Sequence, residues 1–339
     1  MNVEEIYYIY AGHNPEYSFI RRPFEYIIKE INLAIKQGKT TVIFSNISET
    51  LDIHIQKIQR VAEYFLGYDV KFIVTTGSID GQLVYDEMYK RFDWKNRIEI
   101  RYTPMFELAA ANQLQLLSDI EYKVEKKDKL FLSFNRRATL PRFYLLNFVI
   151  DNSLLDKSFF SFEGVDLKYF LNVVCTQCKE YKNTNTILEK VPIRLNITED
   201  RSNPVDCRFE DKEYFDRSYF SVVTETYFSK KLDSYNYSYK FFSEKIFKPI
   251  VFKHPFIFMG WPGALQELKK LGYKTFSPYI DETYDTIEDD FQRYSMITKE
   301  ILRLSKKTDI EWIQWQQDIK DIVEYNNTLL LSKWKTRHA

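Results

Sequence analysis

The chain has 339 residues, and its 48 Lys and Arg are balanced by 48 Asp and Glu, which argues against nucleic-acid binding through bulk charge. Aromatic residues make up 17% of the chain, with 25 Tyr and 27 Phe, enough for sizeable cores and against disorder. Only nine Gly are present, and neither G-x-G-x-x-G nor G-x-x-x-x-G-K-[ST] occurs, so a Gly-rich phosphate loop is not expected.

Residues 5–10 (EIYYIY) read as a first strand, followed by a turn at 11–15. Phe24 to Lys36 carries Ile27, Ile28, Ile31 and Ala34 at helical spacing. Strands are expected at 40–45, 69–75 and 97–102, and helices at 50–66, 81–92 and 105–117. This repeated β-α unit predicts a Rossmann-like domain over residues 1–122. The charge run 121–129 (EYKVEKKDK) reads as a solvated linker. A second domain, 123–309, opens with a strand at 130–134, then Asn135-Arg136-Arg137, then a helix with Thr139 as its N-cap and Pro141 in its first turn. A short strand is expected at 159–162, a helix over 165–181 and loops over 183–211. Residues 310–339 form a closing helix with Trp312, Trp315, Ile319, Ile322 and Val323 on one face, suited to crossing back onto the first domain.

The stretch 219–276 is the most informative. A buried strand pattern ends on Thr224-Glu225-Thr226. Ser243 is placed as an N-cap, with Glu244 and Lys245 in the first helical turn and Pro249 limiting the helix. An apolar strand follows at 255–259, then a Gly-Trp-Pro-Gly turn, a helix at 264–271 and Gly272 as its stop. In parallel α/β sheets ligands bind at strand carboxyl ends and helix N-termini, where Glu225 and Ser243-Glu244-Lys245 fall.

The run Phe242-Ser243-Glu244-Lys245-Ile246-Phe247, set between a strand ending in an acidic residue and an apolar strand with a Gly/Pro turn, resembles the donor-binding half of fucosyltransferase-like glycosyltransferases. The resemblance covers about sixty residues and departs after Phe247, where Lys248-Pro249-Ile250 replaces a small-residue helix. It implies the GT-B architecture: two Rossmann-like, doubly wound α/β domains facing a cleft, the first for the acceptor and the second for a nucleoside-diphosphate sugar. It further implies a GDP-sugar donor and an inverting transfer to a glycan or other hydroxyl acceptor. Glu244 would bind the ribose hydroxyls, Lys245 the nucleotide or phosphate, and Asn135 with Arg142 the donor diphosphate. Arg136, Arg137 and Glu225 are further donor-site candidates, because guanidiniums suit phosphate and a carboxylate suits a diol or the sugar. The catalytic base would be a first-domain carboxylate. Glu49, Asp80 and Glu107 stand near predicted strand ends, His13 is a further candidate, and no spacing decides among them.

No metal or cofactor is expected. One C-x-x-C (Cys175 to Cys178) and a separate Cys207 do not make a four-ligand site, and no D-x-D pattern occurs. Transfer is therefore expected to be metal-independent, with Arg142 and Lys245 stabilising the leaving diphosphate. His254 reads as a loop histidine. No run of about 18 apolar residues marks a membrane span. The start lacks signal-peptide features and three Cys suit a reducing compartment, so a cytoplasmic protein is expected. Two other functions fit the same residues. One is a DNA-base-modifying glycosyltransferase, possible in outline but not favoured by the neutral charge. The other is a non-catalytic binding or structural protein that kept the fold.

Overall fold

A computed structural model describes residues 5–10, 22–46, 52–117, 120–176, 181–195, 212–225, 227–229 and 240–338. The candidates His13 and Glu49 lie outside them. The chain is α/β, with two four-stranded parallel sheets. It divides into two compact units, Met1–Met105 with Lys231–Phe242, and Phe106–Lys230 with Ser243–Ala339. Among the described residues no helix is long and apolar enough to cross a membrane.

The first unit alternates β1 (Ile6–Tyr10), α1 (Phe24–Lys36), β2 (Thr41–Asn46), α2 (Asp52–Tyr64), β3 (Lys71–Thr76), α3 (Gly81–Arg91) and β4 (Glu99–Tyr102). The sheet order is β1-β2-β3-β4, all parallel. The apolar stripe read on α1 is buried as Ile27, Ile28, Ile31 and Ala34. Ile27, Ile28 and Ile31 of that stripe, Ile55, Ile58 and Ala62 of α2, and Val84, Tyr85 and Met88 of α3 share one core with Val42, Phe44, Phe72, Val74 and Ile100. Those strand positions alternate, so they lie on a single face of the sheet. The expected double winding is therefore corrected for this sheet. Each strand is added on the same side of the last, and right-handed crossovers then lay all three helices on one face.

The second unit begins with α4 (Met105–Leu116) from Phe106 onward. This division differs from the expected boundary at residue 122 in giving that helix to the second unit and Lys231–Phe242 to the first. Glu107 of α4 is buried and accepts from Tyr273 Oη at 2.7 Å and Lys333 Nζ at 2.5 Å, both in the second unit. Next come β5 (Lys129–Arg137), α5 (Leu140–Asp151), β6 (Phe159–Val165), α6 (Leu167–Tyr169), α7 (Thr184–Lys190), α8 (Lys212–Asp216) and β7 (Ser218–Thr224). Then follow α9 (Glu244–Val251), β8 (Phe256–Met259), α10 (Ala264–Lys270), α11 (Asp290–Leu304) and α12 (Asp309–His338). The parallel sheet runs β6-β5-β7-β8. The order reverses between β5 and β7, and right-handed crossovers place α5 and α9 on opposite faces, so this sheet is doubly wound.

Two expectations change here. In the described part of the expected helix 165–181, α6 and one π-helical turn, Phe170–Val174, stand instead, and Gly164 and Asp166 turn the chain into them with φ of 69° and 65°. The polar stretch after Asn183 holds the helix α7, whose Thr-Asn-Thr start hides its pattern. Cys175 is disulfide-bonded.

The second half of the unit is as read. Ser243 caps α9, and the helix runs past Pro249 but stops at Val251. Its terminal carbonyls of Ile250 and Val251 accept from Asn327 Nδ2 of α12 at 3.2 and 2.8 Å. Gly272 ends α10 with a φ of 96°. Trp312, Trp315, Ile319 and Val323 of α12 are buried, and Trp312 stacks on Tyr219 with ring centroids 4.1 Å apart.

Candidate functional site at the switch point of the second sheet

Backbone pairing between β5 and β7 stops at Leu132 and Ser221. β5 continues against β6 as far as Arg137, and β7 against β8 as far as Thr224. The two central strands therefore part at their carboxyl ends, where the strand order reverses. In open α/β sheets this crevice is where ligands bind.

A directed chain of side-chain hydrogen bonds ties the parted strands together. Arg142 Nε donates to Thr224 Oγ1 at 3.3 Å, and Thr224 Oγ1 donates to Asn135 Oδ1 at 2.6 Å. Asn135 Nδ2 donates to Ser133 Oγ at 3.0 Å, and Ser133 Oγ donates to the Val222 carbonyl at 2.9 Å. All five residues are buried. Each polar group has a partner, which is the condition for a buried network to hold rather than loosen a fold. β5 is longer than expected, so Asn135, Arg136 and Arg137 sit on the strand itself. A register shift against β6 between Asn135 and Arg137 re-aims its end.

Arg142 rides the first turn of α5, with Pro141 before it and no side-chain cap from Thr139. Its Nη1 and Nη2 donate to the carbonyls of Arg137 and Thr224, both at 3.3 Å. Burial lowers its pKa, and the nearby Glu225 and Glu244 carboxylates oppose that. Arg142 is 4% exposed, so it braces the crevice and charges it from beneath. Arg137 is largely exposed, and its Nε lies 4.0 Å from Asp166. Arg136 is half-buried beside it.

Glu225 follows the last residue of β7 and is 1% exposed. Its Oε1 accepts from Ser243 N at 3.2 Å and Ser243 Oγ at 2.6 Å, fixing the start of α9 to the end of β7. Lys245 Nζ donates to Ser243 Oγ at 2.9 Å and pairs with Glu244 at 3.1 Å and Glu225 at 3.7 Å. Lys245 and Glu244 each keep about a quarter of the side chain exposed (26% and 24%). Burial pushes the Glu244 carboxyl up, but Lys245 beside it, the helix-start N–H and Lys248 outweigh burial and hold it below the usual carboxylate range.

Asn135, Arg142, Glu225, Ser243, Glu244 and Lys245 thus converge, with Arg136 and Arg137 on the rim of β5. Of the base candidates, His13 and Glu49 lie outside the described residues, and the other two have partners of their own within their units. Asp80 Oδ1 accepts from Lys240 N at 3.0 Å within the first unit, and Glu107 holds its buried pair with Lys333 in the second. Thr224 was visible in the sequence as a strand-end hydroxyl, but nothing there showed that it bridges Asn135 and Arg142. Asp285 gave no signal at all. Its carboxylate accepts from Leu265 N at 3.0 Å and Gln266 N at 3.2 Å, filling the start of α10. Among the described residues no group of three His, Cys, Asp or Glu is placed to hold a metal ion.

Comparison with protein families, with curated proteins and with solved structures finds no match, so the reading of the site stands on its geometry.

Proposed function

We propose that the second unit binds a nucleoside-diphosphate sugar and that the protein is a glycosyltransferase of the GT-B class, acting on a hydroxyl acceptor without a metal ion. The observation that carries this reading is the junction of cations and carboxylates at the switch-point crevice. Lys245 presents a partly exposed ammonium for the leaving diphosphate, and Arg142 adds buried positive charge from beneath. Glu244 offers an ionised carboxylate, an acceptor of two hydrogen bonds and so a fit to the ribose diol. Glu225 sets the position of the helix start that carries both. A GDP-sugar donor and an inverting outcome remain what the Ser-Glu-Lys resemblance implies.

Thermal shift with GDP, UDP, ADP and dTDP, each with and without magnesium, tests the donor site. A diphosphate at about 100 times its dissociation constant adds roughly 2.7 kcal/mol of stability, a visible rise in Tm. Selective stabilisation by one nucleotide without magnesium, lost in Lys245→Met and Glu244→Gln, is the expected result. No shift with any of the four, or a shift unchanged in both variants, removes the donor assignment. Release of free sugar from the matching sugar nucleotide then separates an enzyme from a binding protein.

A further inference from the structure

The carboxyl end of β3 holds two stretches of chain that lead into the second unit. The carbonyl of Thr76, its last residue, accepts from Thr103 N at 2.8 Å, just before α4 begins. Beyond it, Ile79 N donates to the Lys240 carbonyl at 2.8 Å, and Lys240 N donates to Asp80 Oδ1 at 3.0 Å. Ser78 pairs with Phe241 in an antiparallel bridge. Ser78, Phe241 and Phe242 are buried. Residues 240–242 thus belong to the first unit, and the next residue, Ser243, to the second. Ser243 is bound there to Glu225 and caps α9, whose first turn carries Glu244 and Lys245. One peptide bond, Phe242–Ser243, therefore joins the pairing at the end of β3 to the helix start at the switch-point crevice.

We infer that residues 240–242 act as a strap that carries occupancy of the crevice to the loop after β3. A ligand on Glu244 and Lys245 suppresses fraying of the first turn of α9, and helix ends are where fraying occurs. The end of the strap is then fixed, and a short segment already fixed at one end loses less entropy in staying paired. The Ile79–Lys240 bond opens less often as a result. The loop after β3 stands at the carboxyl edge of its sheet, where parallel sheets bind ligands. A bound donor therefore orders the loop that an acceptor meets, and by linkage whatever orders that loop tightens the donor by the same factor. The identity of the ligand rests on the donor reading, whereas the strap rests on its own hydrogen bonds.

Hydrogen exchange on the full chain, resolved at the Ile79 amide, tests the strap. In the ligand-free protein Ser243→Ala removes the cap hydroxyl and is expected to speed exchange at Ile79 by about threefold or more. Phe44 and Val74, paired across β2 and β3, are expected to keep their rates. Should Ser243→Ala not fold, Lys245→Met serves instead, because it removes one partner of that hydroxyl from a partly exposed position, and an effect of about twofold is expected. GDP, UDP, ADP and dTDP are then added in turn to the wild type. The nucleotide that slows exchange at Lys245 is expected to slow it at Ile79 as well. Exchange at Ile79 unchanged in the variant overturns the strap. So does a nucleotide that protects Lys245 but not Ile79, or a variant in which Phe44 and Val74 speed up as much as Ile79. If none of the four nucleotides changes any amide while the variant still speeds exchange at Ile79 alone, the donor reading is at fault and the strap stands.

Discussion

Thr224 Oγ1 donates to Asn135 Oδ1 across 2.6 Å at the point where the backbone ladder between β5 and β7 has already ended. The same hydroxyl accepts from Arg142, so one threonine joins two strand ends and a helix start. Thr224→Val keeps the shape and removes both bonds, leaving a buried amide oxygen and a buried guanidinium N–H unsatisfied. The expected cost is about 2–3 kcal/mol, read as a fall in the urea midpoint at unchanged m. A loss under about 0.5 kcal/mol would mean that the relay does not hold the crevice.

Glu225 separates shape from charge. Glu225→Gln retains an oxygen for Ser243 but removes the negative charge facing Lys245 and Arg142. Glu225→Ala removes both and frees the start of α9. Alanine is expected to cost about 3 kcal/mol and glutamine about 1 kcal/mol. Equal losses in urea unfolding would show that the tie to Ser243 contributes nothing beyond the charge.

The legible parts of the chain are those where local pattern and tertiary role coincide. The Ile27/Ile28/Ile31/Ala34 stripe, the Ser243 cap and the Gly272 stop follow from residue type alone, and the structure bears them out. So does the gathering of Glu225, Ser243, Glu244 and Lys245, because a strand end and the helix after it are neighbours in any parallel sheet. The winding of the first sheet was not legible, since strand order depends on which side each strand joins. The burial of Arg142 was hidden too. Helical position put it at the crevice, but only packing decides whether a guanidinium faces solvent or the Thr224 carbonyl.

Lys245 is expected to matter for ligand far more than for the fold. Its ammonium pairs with two glutamates but is partly open to solvent, where screening leaves an ion pair worth about 0–1 kcal/mol. Lys245→Met should therefore move the ligand-free Tm little and weaken diphosphate binding by about tenfold or more. A large loss of ligand-free stability with diphosphate affinity intact would make Lys245 a structural residue and remove it from the donor site.

His254 supplies a pH dependence that the sequence reading as a loop histidine did not contain. The ring is 5% exposed, with Nδ1 2.8 Å from Ser221 Oγ and Nε2 2.9 Å from the Ser218 carbonyl. The neutral tautomer satisfies both, with Nε2–H donating to Ser218 and Nδ1 accepting from the Ser221 hydroxyl. Burial pushes its pKa down from 6.5 to about 3. The unfolded chain therefore takes up a proton below about pH 6.5 that the folded chain refuses until about pH 3. Its contribution is complete above pH 6.5 and is lost as pH falls through that window, by about 2 kcal/mol at pH 5. His254→Gln removes the titration. The variant is expected to be less stable than wild type at pH 7.5, with the gap narrowing by about 2 kcal/mol at pH 5 in urea unfolding. A gap that stays constant between the two pH values would mean that His254 does not set the acid sensitivity of this fold.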